Sequence, residues 1–196
     1  IYSSARNAYI VPRMKRMMNR TVWAMTKQLR KGSFKPEGYE VSFGNGKIDR
    51  IDTCETEDQV YVKILDYKTG AKSFDMAAFY HGLQMQLVVY MEEAVRLEER
   101  KHPGKKIVPA GIFYYRMKDP IVGKELDEEK LEEAILKELR LDGIIRQEDA
   151  VIQRLDADFS GNSLVIPAGK TKSGYSKASK MLLPEEFDAV LTYAQK

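Results

Sequence analysis

The chain has 196 residues, of which 43% are hydrophobic and 31% charged, and its formal net charge is +3. This composition is typical of a globular domain and excludes an intrinsically disordered chain; no apolar run approaches the ~20 residues of a membrane-spanning helix. The single cysteine, Cys54, excludes an internal disulfide and a metal site built from several cysteines, so we expect a reducing, cytoplasmic setting.

The charged residues are unevenly distributed along the chain. Residues 1–36 contain nine Lys or Arg and no Asp or Glu, and a second basic segment, GKTKSGYSKASK, occupies residues 169–180. Such segregation favours a polyanionic partner on one side of the protein. A solvated helix and a flexible loop are the alternative interpretation. The chain begins without Met or a signal-peptide core, so we expect a piece of a longer polypeptide.

The first half of the chain predicts a helix followed by strands. Apolar residues recur at three- and four-residue steps after Pro12, which predicts an amphipathic helix ending at Gly32. These apolar residues are Met14, Met18, Val22, Met25 and Leu29. A short strand is predicted at 38–43, with a turn at 44–46. The segments KIDRID (47–52) and QVYVKILDYK (59–68) then predict two further strands.

The second half alternates helices and strands. Residues 75–100 predict one long helix, capped by Asp75 and closed by Pro103 and Gly104. IVPAGIFYYR (107–116) predicts a strand, and residues 126–143 predict a surface helix stopped by Gly143. NSLVIP (162–167) predicts a short strand, and Pro184 opens a last helix. This order favours one α/β or α+β domain with a mixed sheet.

One carboxylate-x-Lys triplet lies in an unusual context. Three such triplets occur, but two lie in charged helical runs, whereas Asp66-Tyr67-Lys68 ends the apolar strand. Alternate side chains of a strand share a face, so Asp66 and Lys68 are expected to point the same way. A buried salt bridge there contributes little, because desolvation offsets the attraction. A divalent metal would instead use the carboxylate as a ligand. A salt bridge at a turn remains the alternative.

A metal site at this strand end needs a second acid. GKIDRID supplies Asp49 and Asp52, which face opposite sides of a strand, and periodicity alone does not say which joins Asp66. A half-exposed edge strand is the alternative reading of IDRID. On the predicted long helix, Gln86 and Tyr90 lie one turn apart and interrupt an apolar face. They can bond to each other or to backbone, or reach a phosphate or base beside a metal.

Three segments together resemble a known family. GKIDRID, ILDYKTG and YHGLQMQLVVYM, in this order and spacing, closely resemble the RecB-like branch of the PD-(D/E)XK nucleases, above all the C-terminal nuclease domains of the AddB family of bacterial helicase–nuclease proteins. The resemblance extends from about Ser4 through EVSFG (40–44) and PAGIFYYRMKDP (109–120) to the tail. It implies a restriction-endonuclease-like fold, a mixed central sheet flanked by helices, formed by one nuclease domain over residues 1–196.

The resemblance also implies a catalytic site. Asp49 would be the first metal-binding acid and Asp66 the second, with the carbonyl of Tyr67 as a further ligand. Lys68 would orient or activate the attacking water. The implied cofactor is Mg²⁺, with Mn²⁺ as an alternative ion. The implied activity is hydrolysis of DNA phosphodiester bonds within an ATP-dependent helicase–nuclease of double-strand-break repair and recombination.

Accessory residues and partners follow from the same resemblance. Gln86 and Tyr90 match the family's Gln-x-x-x-Tyr motif, with a DNA-binding or accessory role, and Glu40 resembles the Glu that precedes Phe-Gly, with an accessory role. The implied partners are single-stranded or unwound double-stranded DNA and an AddA-type helicase–nuclease subunit in the bacterial cytoplasm, with no membrane. Two alternatives remain: a catalytically silent DNA-binding scaffold of the same fold, and a Cas4-like exonuclease.

The chain departs from the family pattern in three ways. Family members often carry a metal-binding His before the first acid, but residues 1–48 contain none, and His81 and His102 are misplaced for that role. The connection between Phe43 and Lys47 is shorter than usual. The family's iron–sulfur cluster needs four cysteines, so Cys54 alone cannot form it here, and we expect the chain to end before the others.

Overall fold

The computed structural model describes residues 5–44, 46–70, 73–122 and 127–193. The helices in these ranges are α1 Ala5–Leu29, α2 Met76–Tyr80, α3 Gln86–Lys101, α4 Glu128–Glu138, α5 Asp149–Leu155 and α6 Pro184–Tyr193. The strands are β1 Lys35–Phe43, β2 Gly46–Glu55, β3 Gln59–Lys68, β4 Lys106–Arg116, β5 Asp142–Arg146, β6 Lys170–Thr171, β7 Gly174–Tyr175 and β8 Met181–Leu182. Across these residues, no helix combines the length and apolarity that crossing a bilayer requires.

The main sheet is mixed, as expected for a restriction-endonuclease-like fold. Its six strands lie in the order β1-β2-β3-β4-β5-β8, and β6 and β7 form a separate hairpin. The β3–β4 and β5–β8 pairs are parallel, while the other neighbours are antiparallel. A parallel pair needs a crossover connection, and α2 and α3 provide it between β3 and β4. The crossover helix α3 packs on one face of these two central strands, and α5 packs on the other.

Alternation along β3 divides the core into two layers. Val60, Val62 and Ile64 pack on one face, toward α3. Tyr61 and Leu65 pack on the other face, toward α5. The α3 residues in the first layer are Leu87, Val88 and Met91. The α5 residues in the second layer are Val151, Ile152 and Leu155. Because both faces are buried, β3 is a near-continuous apolar run up to Asp66.

Helix α1 differs from its sequence prediction in its start and in its buried face. It begins at Ala5 and runs through Pro12, although an interior proline removes one helical hydrogen bond. Three residues of the predicted apolar face are exposed: Met14, Met18 and Val22. The face that is buried carries Ala24 and Gln28 instead. Gln28 Nε2 donates to the carbonyls of Leu139 and Leu164, at 3.1 and 3.2 Å.

The predicted long helix over residues 75–100 is wrong as a single element. It divides into α2 and α3, separated by turns at 81–85. Gly82 has a φ of +74°, a left-handed conformation that glycine adopts without strain and that cannot continue a helix. Asp75 caps α2 as expected, since its Oδ1 accepts a 3.0 Å hydrogen bond from the amide of Ala78. Gln86 thus becomes the first residue of a helix, not a mid-helix residue.

The C-terminal third contains two further corrections. The helix predicted for 126–143 ends at Glu138, and Gly143 lies inside strand β5. A Cβ at Gly143 would lie 1.9 Å from the Ile112 carbonyl oxygen, so the glycine permits close strand pairing. Residues 162–167 form no strand; a single bridge joins Asn162 to Gly169. The helix at Pro184 is confirmed.

Candidate active site

Two acids and a lysine meet at the ends of β2 and β3. The antiparallel register ends at the Arg50–Leu65 pair, and Asp49 and Asp66 are the next residues along the two strands. Asp66 is only 4% exposed, while the Lys68 side chain is 23% exposed. The Nζ of Lys68 forms an ion pair with the Asp66 carboxylate. The predicted shared face of Asp66 and Lys68 is therefore present, and so is the salt bridge named as the alternative reading.

The carboxylate of Asp49 is hydrogen-bonded to Tyr67, the middle residue of the triplet Asp66-Tyr67-Lys68. Its Oδ2 accepts a 2.8 Å hydrogen bond from the backbone amide of Tyr67. Burial raises the pKa of Asp49 above its ordinary 3.8, and the negative charges of Asp66 and Glu40 raise it further. The Tyr67 hydrogen bond and the Lys68 charge act in the opposite direction. Two neighbouring carboxylates thus share one lysine, an arrangement that an additional cation would stabilise.

Asp52, the other acid of GKIDRID, belongs to the opposite face of the sheet. It is fully buried and accepts hydrogen bonds from Arg50 Nε and Nη2, at 2.5 and 2.8 Å. Lys63 Nζ lies 3.4 Å from the same carboxylate, and burial lowers the pKa of Lys63. Arg50 Nη1 also donates to the hydroxyl of Tyr67, at 3.3 Å. This network holds the Tyr67 side chain away from Asp49 and Asp66, so Asp52 is not available to the site.

Gln86 and Tyr90 form the bond that one reading of the sequence expected. Gln86 Nε2 donates to the hydroxyl of Tyr90 at 2.5 Å. Gln86 is exposed, whereas Tyr90 is half-buried, with its ring edge-on to Phe43 of β1 at 5.6 Å. Burial raises the pKa of Tyr114, the β4 partner of Asp66, and the nearby Tyr90 is among the groups that raise it further. The pair thus lies on the α3 side of the acids, with Gln86 in solvent and the Tyr90 ring packed partly against the core.

Glu40 is close to the acids but differs from them in exposure. It forms an ion pair with Lys47 across the β1–β2 hairpin, and its charge contributes to the raised pKa of Asp49, after burial and the charge of Asp66. Its φ of +52° is unusual for a residue with a side chain, and such strain is typical of functional positions. The Glu40 side chain is 64% exposed, so it faces solvent at the rim of the site.

The two carboxylates suit a hard divalent ion such as Mg²⁺ or Mn²⁺ better than a softer metal that prefers His or Cys ligands. Among the described residues, no three or more His, Cys, Asp or Glu side chains are grouped so that they could hold a metal ion. Mg²⁺ is commonly bound through one or two carboxylates and keeps several waters, so a pair such as Asp49 and Asp66 could supply its side-chain ligands. His81 is exposed beyond α2, and His102 lies against Glu98 at 3.3 Å, at the far end of α3. Neither histidine reaches the acids.

Several residues around this site were not predicted from the sequence. Tyr114 of β4 lies beside Asp66, and the Lys68 amine is 5.3 Å from its ring centroid. Alternation along IVPAGIFYYR could have placed Tyr114 on the α3 face together with Ile112, since both belong to that layer. Asp142 and Lys180 gave no comparable signal, because strands β5 and β8 were not predicted.

Comparisons with known proteins place the chain within a nuclease family. The sequence pattern of the PD-(D/E)XK nuclease superfamily matches residues 2–165. An ATP-dependent helicase/deoxyribonuclease protein of Alkaliphilus metalliredigens is 36% identical over 99% of this chain and 19% of its own length. The same-named protein of Lachnoclostridium phytofermentans is 38% identical over 97% of this chain and 18% of its own length. The chain thus spans about a fifth of these relatives. With a match that includes all of β1 to β5, the chain belongs to the PD-(D/E)XK nuclease superfamily.

Proposed function

We propose that this chain is a Mg²⁺-dependent deoxyribonuclease domain that hydrolyses phosphodiester bonds in DNA unwound by an associated helicase. The observation that carries the proposal is the meeting of Asp49, Asp66 and Lys68 on one face of β2 and β3. Membership of a nuclease superfamily and the name of the relatives, helicase/deoxyribonuclease, support it. Mn²⁺ is an alternative ion of similar coordination chemistry.

Each residue of the proposed site has a distinct role. Asp49 and Asp66 would hold the metal, with the Tyr67 carbonyl as a further ligand. When bound, the metal polarises the phosphate and lowers the pKa of an attacking water. Lys68, already at the Asp66 carboxylate, is placed to donate to that water or to a phosphate oxygen. The backbone hydrogen bond from Tyr67 holds Asp49 in position without using its second oxygen.

The surrounding residues would bind the DNA. The exposed Gln86 and the hydroxyl of Tyr90 that it binds would contact a phosphate or base next to the metal, and Glu40 would act at the rim. The basic residues of α1 and the exposed lysines of segment 169–180, which are Lys170, Lys172 and Lys177, would follow the DNA backbone, which makes binding depend on salt. We infer a single nuclease domain in a longer polypeptide that works with an AddA-type helicase–nuclease subunit in the bacterial cytoplasm.

The experiment that tests this function uses the complete polypeptide, alone and with a helicase partner whose own nuclease has been inactivated. Release of nucleotides from labelled single-stranded DNA is measured with and without Mg²⁺ for the unaltered protein, Asp66→Ala and Lys68→Ala. Lys130→Ala is the matched control, since Lys130 ends an exposed carboxylate-x-Lys triplet at the start of α4. We expect the first two variants to lose cleavage and Lys130→Ala to retain it.

The outcomes separate the alternatives. Cleavage by Asp66→Ala and Lys68→Ala at the unaltered rate overturns the site assignment. DNA binding by the unaltered protein without cleavage in either Mg²⁺ or Mn²⁺ overturns the nuclease proposal and supports the DNA-binding scaffold. Metal-dependent cleavage that does not require the helicase partner supports the Cas4-like alternative.

A further inference from the structure

A short backbone segment after the catalytic triplet is held by side chains from distant strands. The amide of Phe74 donates to Asp142 Oδ2 at 2.9 Å, and Lys180 Nζ donates to the carbonyl of Phe74 at 2.8 Å. Lys180 also donates to Asp142 Oδ1 at 2.6 Å. Both polar groups of the Phe74 peptide backbone are thus bonded to one carboxylate–lysine pair, and we call these three residues the Phe74 clamp.

Gln84 forms two further hydrogen bonds with the same backbone segment, residues 73–75. Its Nε2 donates to the carbonyl of Ser73 at 3.3 Å, and its Oε1 accepts from the amide of Asp75 at 3.2 Å. Gln84 is 8% exposed, although it lies in the turn region between α2 and α3. Four consecutive backbone polar groups, from the carbonyl of Ser73 to the amide of Asp75, are therefore hydrogen-bonded to side chains. Loops are usually satisfied by water or by their own backbone, so this segment is fixed to an unusual degree.

The Phe74 clamp touches the proposed active site through two aromatic rings. The register aligns Asp66, Tyr114 and Asp142 in one row across β3, β4 and β5. The Phe74 ring packs against Tyr114, with centroids 6.3 Å apart. The Lys68 amine in turn lies over the Tyr114 ring, 5.3 Å from its centroid. The aromatic ring that faces Lys68 is therefore packed against the residue that Asp142 and Lys180 hold.

Lys180 also connects the site to the second basic segment. It is the last residue of segment 169–180 and directly precedes β8, and its carbonyl accepts a 3.0 Å hydrogen bond from the amide of Ile145 in β5. The basic hairpin β6–β7 lies upstream in the same segment. Lys180 is thus fixed at the C-terminal end of this segment, with its amine bonded inside the protein and not among the exposed lysines that we assign to the DNA backbone.

We propose that Lys180, acting through Asp142, Phe74 and Tyr114, is a positioning residue for the amine of Lys68. This inference rests on the proposed nuclease function. The clamp holds Phe74 against Tyr114, and Tyr114 limits the positions open to the lysine beside Asp66. Loss of the clamp changes the alignment of Lys68 and slows the chemical step without changing how DNA is bound.

The test compares single-turnover and steady-state cleavage in the complete polypeptide with its helicase partner. Lys180→Met removes both donated hydrogen bonds, while Lys180→Arg keeps a cation able to reach Asp142 and the Phe74 carbonyl. Arg146→Met is the matched control, because Arg146 forms an ion pair of similar geometry with Asp188, at 2.5 and 3.1 Å, at the other end of β5. Asp66→Ala marks the background rate.

We expect Lys180→Met to lower kcat about tenfold with an unchanged KM for single-stranded DNA, because small misplacements of a reacting group are costly. Lys180→Arg restores most of kcat. We expect Lys180→Met and Arg146→Met to lower the thermal unfolding midpoint by similar amounts. Arg146→Met nevertheless leaves kcat per folded molecule unchanged. A kcat of Lys180→Met equal to that of Arg146→Met, with the unaltered protein active, overturns the positioning role. If the unaltered protein cleaves DNA no faster than the Asp66→Ala background, the proposed function itself is overturned.

Discussion

The backbone amide of Tyr67 donates a 2.8 Å hydrogen bond to the carboxylate of Asp49, so the residue between Asp66 and Lys68 is fixed to the neighbouring strand. The Tyr67 side chain is held from the opposite face by Arg50, which Asp52 orients. The triplet is therefore held on both faces of the sheet by contacts that need no metal. Asp49 and Asp66, the proposed metal ligands, are therefore held in place by the protein itself.

The first prediction separates the structural role of Asp49 from its proposed role as a ligand. Asn in its place keeps an oxygen that can accept from the Tyr67 amide but removes the negative charge. We expect Asp49→Asn to fold with an unfolding midpoint close to that of the unaltered protein and to lose at least ~100-fold in Mg²⁺-dependent cleavage, since a metal supplies several kcal/mol of transition-state stabilisation.

The control for this prediction is Asp49→Ala, which also removes the hydrogen bond. We expect it to cost about 1 kcal/mol in the free energy of unfolding, measured in urea, in addition to the lost cleavage. Full cleavage by Asp49→Asn at saturating Mg²⁺ would show that Asp49 acts only as a hydrogen-bond acceptor.

The second prediction concerns the Tyr90 hydroxyl. Tyr90→Phe keeps the ring that packs on Phe43 and removes only the 2.5 Å hydrogen bond with Gln86. We expect KM for single-stranded DNA to rise two- to fivefold, about 0.5–1 kcal/mol, with little change in kcat. Tyr80→Phe, on the exposed face of α2, is the control and should leave both constants unchanged. A large fall in kcat with unchanged KM contradicts a DNA-binding role for Tyr90.

The third prediction is a pH effect on stability at Lys63. Burial outweighs attraction to Asp52 and lowers the Lys63 pKa below its ordinary 10.5. Between the folded-state pKa and 10.5 the unfolded chain binds more protons, so the stability of the unaltered protein rises with pH in that window and is lost as pH falls. Lys63→Met removes this penalty, while Arg50 still satisfies Asp52.

We therefore expect Lys63→Met to be more stable than the unaltered protein at pH 7 by about 1 kcal/mol, with the difference shrinking as pH approaches 10.5. Urea unfolding at about pH 7 and about pH 10 measures it. Lys106→Met, an exposed change at the start of β4, is the control and should show no such pH dependence. A Lys63→Met variant that is less stable near neutral pH would mean that Lys63 contributes net stability through Asp52.

The sequence was sufficient for the part of the site that depends on strand alternation. Asp66 and Lys68 share a face because β3 is regular up to its last residue and buried on both sides. The choice between Asp49 and Asp52 could not be made from periodicity, because it depends on the β2–β3 register and on Arg50, which binds Asp52 on the other face. Register is a property of two strands together, so one strand's pattern does not determine it.

The elements that the sequence missed share a different cause. The helical spacing of apolar residues continues past Glu138 through Leu139 and Leu141, which hides the change to strand at β5. In α1 the spacing indicates an amphipathic helix but not which face meets the protein, and the buried face uses Ala24 and Gln28. The clamp residues Asp142 and Lys180 lie 38 positions apart and meet only through the β5–β8 pairing.

The last prediction concerns Gly143, whose location in β5 was the clearest error of the sequence prediction. A Cβ there would lie 1.9 Å from the Ile112 carbonyl oxygen and 2.8 Å from the Phe113 Cα. Both are backbone atoms of β4, so no side-chain rotation relieves the clash. We expect Gly143→Ala to lower the free energy of unfolding by about 3 kcal/mol, the upper range for overpacking a well-packed core.

Because Gly143 neighbours Asp142 of the Phe74 clamp, we also expect Gly143→Ala to reduce Mg²⁺-dependent cleavage even at temperatures where the variant is folded. Gly70→Ala is the control for stability, since a Cβ at Gly70 meets nothing within 4 Å. Urea unfolding followed by circular dichroism compares the two variants. Equal stability of Gly143→Ala and Gly70→Ala would mean that the β4–β5 pairing is looser than its register implies, and the row from Asp66 through Tyr114 to Asp142 would then not be rigid enough to position Lys68.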